Sequence, residues 1–360
     1  MISIKGLSKQ YGSKEILRDI NLEIPENKVT GIIGPSGSGK TTLLRLLNLL
    51  EKPTHGNIFM KGVNTRSSAK ALDVLRKNMV MIFQKPALFN ASIFDNVAYG
   101  LKIRGATKKE MHTKVNNALE MVDLPNYGSL SVEGLSDGEA KRISIAQATV
   151  IDPKLLLLDE PTSSLDPISA KNIETLFSTI MTETETTIVM TTHDMAQGQR
   201  LAHQMGVLIG GSLLQKGTSN EIFSMPNSEP VAKFLETDNM LGGTIKYQQG
   251  GLATVDIGEG LIQGITELPE GCLVYACIRP DNITLTTTQS VNSARNTLTG
   301  TVTYMHITGP LVKVTIDCGV NITSIITTES AEDLDIRLNT QVQANFKASG
   351  VHIFSAQKTN

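Results

Sequence analysis

The stretch Gly34-Pro35-Ser36-Gly37-Ser38-Gly39-Lys40-Thr41-Thr42 constrains the fold of this chain more than any other part of it. It fits the spacing G-x-x-x-x-G-K-[ST], which functions only between a buried strand and a helix. Both flanks are present: Val29-Thr30-Gly31-Ile32-Ile33 is an apolar run of strand length, and Leu43-Leu44-Arg45-Leu46-Leu47 reads as a helix. Glycines let the backbone N–H groups turn inward around phosphate oxygens, and the helix N-terminus adds partial positive charge. Lys40 can then reach the β- and γ-phosphates, and the Thr41 hydroxyl can ligate Mg²⁺. The competing reading, a glycine-rich turn that holds nothing, is disfavoured by the complete pattern in its complete context.

Other residues fall around this loop in a definite order. Met1–Ile4 and Ile20–Ile24 alternate as strands do, and Tyr11 lies in a turn-rich stretch between them, where it could stack on a base or simply pack. Val80–Gln84 is a β-rich run ending in a polar side chain, so Gln84 is either a solvated amide or a group aimed at Mg²⁺ or an attacking water. Residues 85–104 carry apolar groups among loop signals and 107–123 look helical, which together suggest a small, mostly helical insertion. Its apolar residues are first of all its own core, with some left for a docking surface. In Leu135-Ser136-Asp137-Gly138-Glu139, Ser136 and Glu139 have capping-box spacing before a helix over 140–150; the turn is a plain helix cap or a second phosphate-binding N-terminus.

Leu155-Leu156-Leu157-Leu158 reads as a central buried strand with Asp159 and Glu160 at its end, where ligands sit in open α/β sheets. Asp159 can support Mg²⁺, and Glu160 can accept a proton from the attacking water. Thr186–Thr192 is another β-rich run, followed by His193, which can reach a γ-phosphate.

Taken in this order, the motifs resemble the ATP-binding subunit of an ABC importer over roughly the first two-thirds of the chain. Tyr11 matches the adenine-stacking loop, Gly34–Thr42 the P-loop, Gln84 the Q-loop and Leu135–Glu139 the family signature. Asp159-Glu160 matches the Walker-B pair, Ser164-Leu165-Asp166 the D-loop and His193 the switch histidine. The resemblance implies a head-to-tail homodimer with ATP and Mg²⁺ between the P-loop of one copy and Ser136, Gly138 and Glu139 of the other, with Asp166 nearby. Gln84, Glu160 and His193 are the implied catalytic set, and Thr41, Gln84 and Asp159 the implied Mg²⁺ set. It also implies transmembrane permease subunits docking near Gln84–Leu101, an external solute-binding protein acting through them, and a position on the cytoplasmic face of the membrane. The chain departs from the family where Asp137 replaces a Gly and Glu139 a frequent Gln. Asp137 is expected to face solvent and favour the helix dipole, which leaves a working ATPase.

Composition shifts after Met225-Pro226-Asn227: residues 229–238 read as a last helix and linker, and strand signals dominate beyond. An internal repeat aligns Leu241–Tyr247 with Leu298–Tyr304 and Val274–Ile283 with Val342–Val351. A repeated β unit suggests two small barrel-like lobes that bury one another's edges, with OB-like barrels the natural form. The expected architecture is an α/β P-loop nucleotide-binding domain over 1–238, with a helical subdomain at about 86–150, then an all-β OB-like domain over 239–360. The second domain resembles the TOBE domain, and its second lobe resembles molybdopterin-binding-like (Mop) modules that bind molybdate or tungstate. Ser293-Ala294-Arg295-Asn296 and Lys347-Ala348-Ser349 carry that likeness, with Gly300. Backbone N–H groups, Ser hydroxyls and a Lys charge suit a tetrahedral dianion, and the same loops could equally only shape strand ends. Thr192–Arg200 also resembles tungstate-type ATPases more than sugar-type ones.

The bulk numbers exclude little else. A formal net charge of -2 gives no reason to expect nucleic acid. Cys272, Cys277 and Cys318 lack metal-ligand spacing and are expected to be small buried residues on strands. The N-terminus has no signal-peptide pattern, and no apolar run reaches the length of a membrane span. ABC ATPases of translation or DNA repair are disfavoured, since neither a second ATPase unit nor a long coiled-coil insertion is present. A storage protein is disfavoured by the complete Gln84, Glu160 and His193 set.

Overall fold

The computed structural model describes residues 1–288 and 293–356; residues 289–292 and 357–360, which belong to the expected C-terminal domain, lie outside the described residues. The chain divides into two compact units, Met1–Asn220 and Glu221–Asn360. The division falls upstream of the 238/239 boundary read from composition, and the helix at 229–234 belongs to the second unit.

The first unit begins with β1 (Ile2–Tyr11), β2 (Lys14–Ile24), β3 (Val29–Ile33), α1 (Lys40–Leu47), β4 (His55–Met60), β5 (Val63–Asn64), α2 (Ala69–Arg76) and β6 (Met79–Ile82). Three helices follow, α3 (Ile93–Ile103), α4 (Lys108–Met121) and α5 (Asp137–Thr149). The unit continues through β7 (Leu155–Asp159), α6 (Pro167–Glu183), β8 (Thr187–Thr192), α7 (Met195–Leu201), β9 (Gln204–Ile209) and β10 (Ser212–Thr218). A six-stranded sheet runs in the order β10-β9-β3-β8-β7-β6. All of its strands are parallel except β10, which is antiparallel to β9. Strands β3, β7 and β8 are buried along their whole length, as continuous apolar runs between crossover helices must be. A four-stranded antiparallel sheet, β2-β1-β4-β5, shares a core with it and with α1: Ile4, Leu17, Leu43, Leu44, Leu157 and Val189 belong to one cluster. The parallel register brings the C-terminal ends of β3, β7 and β8 to one edge.

The helical segment is held by capping as much as by packing. Thr107 and Ser136 each cap their helix reciprocally with the Glu three residues on, Glu110 and Glu139. Ile93, Val97 and Leu101 are its core, whereas Phe89 and Tyr99 are exposed, with ring centroids 4.8 Å apart.

In the second unit, α8 (Ser219–Ser224), which spans its first residues, and α9 (Glu229–Phe234) precede ten strands. Strands β11 (Asn239–Gln249), β12 (Leu252–Asp256), β13 (Leu261–Ile265) and β14 (Leu273–Ile278) form most of the first lobe, and β15 (Thr284–Thr286) follows a one-turn helix at Pro280–Asn282. Strands β16 (Asn296–Thr308), β17 (Leu311–Asp317), β18 (Asn321–Thr327) and β19 (Gln341–Phe346) repeat that order. The short α10 (Thr328–Asp333) lies between β18 and β19, and β20 (Val351–Ser355) closes the series after a one-turn helix at Ala348–Gly350. The repeat in the sequence is therefore a repeat in the fold, with an exchange the sequence did not suggest. The last strand of each repeat joins the other lobe: β20 pairs with β14 and closes the barrel β11-β12-β13-β20-β14, while β15 pairs with β19. The second lobe is a five-stranded sheet, β15-β19-β16-β17-β18, rather than a second closed barrel. Its exchanged strand has three residues where β20 has five. The two lobes consequently share one core, in which Ile245, Val255, Val302, Val314 and Phe346 are all at most 1% exposed.

Two buried asparagines at equivalent repeat positions fasten this exchange. Asn239 donates to Ile278 O (3.1 Å) and Thr323 O (2.8 Å) and accepts from Thr323 N–H (2.6 Å). Asn296 accepts from Gln263 N–H (2.6 Å) and donates to Gln263 O (2.9 Å). Each strand start thus clamps the opposite lobe. Asn239→Ala strands buried backbone groups and is expected to destabilise the unit by about 1–3 kcal/mol, read as a lower denaturation midpoint by circular dichroism. An unchanged midpoint would remove the clamp from the account.

Of the cysteines, only Cys277 is a buried strand residue; burial pushes its thiol up to about 12. Cys272 and Cys318 are half-buried and lie just outside the strands, because each sits where a turn begins or ends.

Candidate functional site

The site is assembled at the edge where β3, β7 and β8 end. After β3 the chain turns through Gly34, whose Cα lies so close to the Leu208 carbonyl that a Cβ would stand 2.0 Å from its oxygen. Gly39 caps α1 with φ 105°, a left-handed conformation that a side chain resists. No side chain caps the N-terminus of α1 and its first turn carries no acidic residue, so its free N–H groups face an incoming anion unopposed. Pro35, Ser36 and Gly37 are exposed at the mouth, while Thr42 is half-buried in the first turn of the helix. Ser38 Oγ is buried with no hydrogen-bond partner, as expected of a group awaiting a phosphate oxygen.

Lys40 is 5% exposed and donates to Gly34 O (2.8 Å) and Pro35 O (3.1 Å), which aims its ammonium into the loop. Burial lowers its pKa, partly offset by the Glu160 carboxylate 3.7 Å away. Thr41 donates to Asp159 Oδ1 (3.0 Å), and Thr191 donates to the same oxygen (2.8 Å). Thr191, a strand residue to which the sequence assigned no role, thereby fixes the carboxylate. Glu160 has φ 45° and its backbone N–H donates to Thr191 O at 3.1 Å, a turn that swings its carboxylate back over the loop. His193 Nδ1 lies 3.0 Å from Glu160 Oε2. Three elements distant in sequence therefore meet around one carboxylate, with a cation on one side and an imidazole on the other.

Among the described residues no cluster of three His, Cys, Asp or Glu side chains gathers. A divalent cation here would be held by the Thr41 hydroxyl, by Asp159 behind it and by phosphate oxygens, and the donor set fits Mg²⁺ in that role. Its chemistry would be to neutralise charge on the β- and γ-phosphates.

Gln84 lies two residues beyond β6 and is exposed; β6 pairs with β7 up to Ile82↔Leu158. Its carbonyl accepts from Lys141 Nζ (3.1 Å), as does that of Phe83 (3.0 Å). Tyr11 is 45% exposed, its hydroxyl bonds Glu51 and the Lys9 ammonium lies 4.8 Å from its ring centre, so one region of the ring is already covered by a cation.

The signature turn differs from the P-loop. Ser136 caps α5, and Glu139 reaches back to Ser136 N–H (2.9 Å) and its hydroxyl (2.7 Å) while accepting from Tyr127 (2.7 Å). The Tyr127 hydroxyl and the Ser136 bonds pull the Glu139 carboxyl down to about 2. Glu139 is thus a capping group within its own chain, and Asp137 is exposed in the first turn as expected. Asp166 likewise caps α6 through the N–H groups of Ile168 and Ser169, each at 3.0 Å.

In the second unit, Ser293, Ala294, Lys347 and Ser349 line one open cleft of about 620 Å³ together with Asn282 and Thr286. Asp281 also lines it, paired with Arg279 at 2.8 Å. The rest of the two loops does not converge there: Arg295 is exposed outside the lining, Ala348 is buried, and the amide of Asn296 is engaged by Gln263. The anion-facing set is smaller than the sequence suggested because strand pairing consumes Asn296.

Comparison with known proteins places these features. Residues 17–163 match the ABC transporter family and residues 292–353 the TOBE domain. The methionine import ATP-binding protein of Vibrio vulnificus (strain YJ016) is 41% identical over 254 residues, covering 69% of this chain and 74% of that protein. The molybdate/tungstate import ATP-binding protein of Pyrococcus horikoshii is 33% identical over 358 residues, covering 98% of this chain and all of its relative (100%). Among solved structures, the dimeric bacterial ABC transporter cassette MJ0796 superposes with a TM-score of 0.57 at 27% identity, covering 61% of this chain and 99% of that one.

Proposed function

The chain belongs to the family of ATP-binding subunits of ABC importers, and from that membership we propose that it couples ATP hydrolysis, in a head-to-tail homodimer, to uptake of molybdate or tungstate. The observation that carries the catalytic part is the meeting of Lys40, Thr41, Asp159, Glu160 and His193 at one sheet edge. Backbone N–H groups of Gly34–Thr42 and the buried Ser38 hydroxyl hold the triphosphate, and Lys40 leaves Glu160 to meet it. Glu160 then takes the proton of the attacking water. His193 holds Glu160 in place and faces the departing phosphate; Gln84 enters from the end of β6. Ser136 and Gly138 of a second copy complete each site, with Asp166 beside them, and Tyr11 receives the adenine.

No helix among the described residues is long and apolar enough to cross a membrane. In this reading the membrane path lies in permease subunits, as in an importer built from separate ATP-binding and membrane chains. The exposed Phe89–Tyr99 pair on the helical segment offers them an apolar seat at the cytoplasmic face, and an external binding protein delivers solute to them.

The oxyanion assignment is supported by two facts of different kind. The molybdate/tungstate relative matches through the C-terminal domain, and that domain gathers Lys347, Ser349 and Ser293 around one cleft. The cleft senses cytoplasmic oxyanion and slows transport. Calorimetric titration of the full chain with molybdate, tungstate, phosphate and sulfate tests this. Binding of molybdate or tungstate alone is expected, with at least tenfold weakening in Lys347→Ala, which loses a charge-assisted contact of about 1.5–3 kcal/mol. Absence of binding would leave the C-terminal domain a structural module. A second reading, uptake of another small solute such as methionine, phosphate or a sugar, is favoured by the higher identity to the methionine relative over the ATP-binding part. Uptake assays with each solute separate the two.

A further inference from the structure

The most deeply buried charge that this chemistry leaves unused is Lys141. It stands on α5, five residues after the capping Ser136, and is 2% exposed. Its ammonium donates to two successive carbonyls, Phe83 O at 3.0 Å and Gln84 O at 3.1 Å, at the end of β6. Among the described residues no carboxylate forms an ion pair with it, and Asp159 is the opposite charge that acts on it. A lysine on a helix ordinarily keeps its head in water. Burying the head against carbonyls alone is costly, and a Met or Leu would fill the same space without that cost. The packing therefore does not explain the residue, while its two acceptors suggest what it does.

Gln84 follows β6, which pairs with β7 up to Ile82↔Leu158, and in the proposed catalytic set it attends the nucleotide on its own P-loop. The Ser136 end of the same helix attends the nucleotide on the partner's P-loop. Only about 7.5 Å of rigid helix separates Ser136 from Lys141 along the axis. We infer that Lys141 is a positioning residue that makes the Gln84 turn and the signature end of α5 move as one piece, so that each subunit links the two nucleotide sites of the dimer through its own chain. This rests on the head-to-tail reading given above.

The test uses the full-length chain. Steady-state ATP hydrolysis is measured against ATP concentration for the wild type, Lys141→Met and Lys141→Gln, with a fluorescent ADP analogue reporting nucleotide binding by the monomer. The wild type is expected to show a Hill coefficient approaching 2, the limit for two coupled sites. Lys141→Met is expected to bring it near 1 and to lower kcat at least tenfold, with ADP binding and melting temperature kept. Lys141→Gln, which retains donors, is expected to fall between, and it carries the test if the Met variant does not fold. A Hill coefficient in both variants equal to that of the wild type overturns the inference. So does a variant that loses ADP binding in step with activity, since that marks a general structural role. A wild-type coefficient of 1 overturns the head-to-tail reading itself, and the inference with it.

Discussion

Glu160→Gln is expected to lower ATP hydrolysis by about 10²–10⁴-fold while leaving ATP binding intact, the loss that follows removal of a general base. The amide keeps the size of the carboxylate and can still bond His193, whose Nδ1 lies 3.0 Å from Oε2, so the turn at φ 45° need not move. What it loses is the capacity to take a proton. The variant is also expected to accumulate as an ATP-bound dimer, because in the proposed head-to-tail dimer ATP would close the interface and hydrolysis would reopen it. Size-exclusion chromatography with and without ATP checks this. A hydrolysis rate within a few-fold of wild type would take Glu160 out of its role and move attention to His193.

Lys40→Met is expected to reduce kcat/KM for ATP by on the order of 10²–10³-fold, the range seen when one preorganised charge is removed from a reacting phosphate or oxyanion. The effect has two sources. The ammonium that would meet the β- and γ-phosphates is gone, and the carbonyls of Gly34 and Pro35 lose the donor that shapes the loop. Lys40 is 5% exposed, and a methionine of similar length fills its place, so the fold should persist. Fluorescent-nucleotide titration separates lost binding from lost turnover. Nucleotide affinity and turnover both near wild type would mean that the backbone N–H groups of the loop alone hold the phosphates.

The two variants fail differently because their partners differ. Glu160 meets Lys40 at 3.7 Å and His193 at 3.0 Å, and its proposed action is on water. Lys40 donates to the loop carbonyls of Gly34 and Pro35, and its proposed action is on phosphate. A Glu160 variant should therefore bind and stall, and a Lys40 variant should fail to engage.

The nucleotide site was largely legible in the chain because its parts are local. A strand, a glycine turn and a helix N-terminus make the cradle within Val29–Leu47, and the apolar run Leu155–Leu158 announces Asp159 and Glu160 at its end. What sequence could not supply was the second layer. Thr191 orients Asp159 from a neighbouring strand, and Lys141 reads as one more helix lysine until β6 is placed beside it. Gln197, buried on α7, donates to Thr162 (2.6 Å) and Glu174 (3.3 Å), and nothing in its local pattern distinguishes it from a surface amide.

The C-terminal domain shows the same division. Its repeat, its strand content and the pairing of equivalent segments followed from alternation and self-similarity, which are properties of a chain read along its length. The exchange of β15 and β20 did not, since a strand's partner is decided by which edge is open when the lobes meet. Asn296 illustrates the consequence: by sequence it belonged to an anion loop, and by structure its amide completes the pairing of the opposite lobe. The sequence by itself determined the fold class and singled out the residues proposed for the phosphate cradle and the catalytic set, because these readings depend on spacing and hydrophobic period. The tertiary structure alone decided which side chains face one another across strands and helices, because buried polar groups must find partners wherever folding brings them.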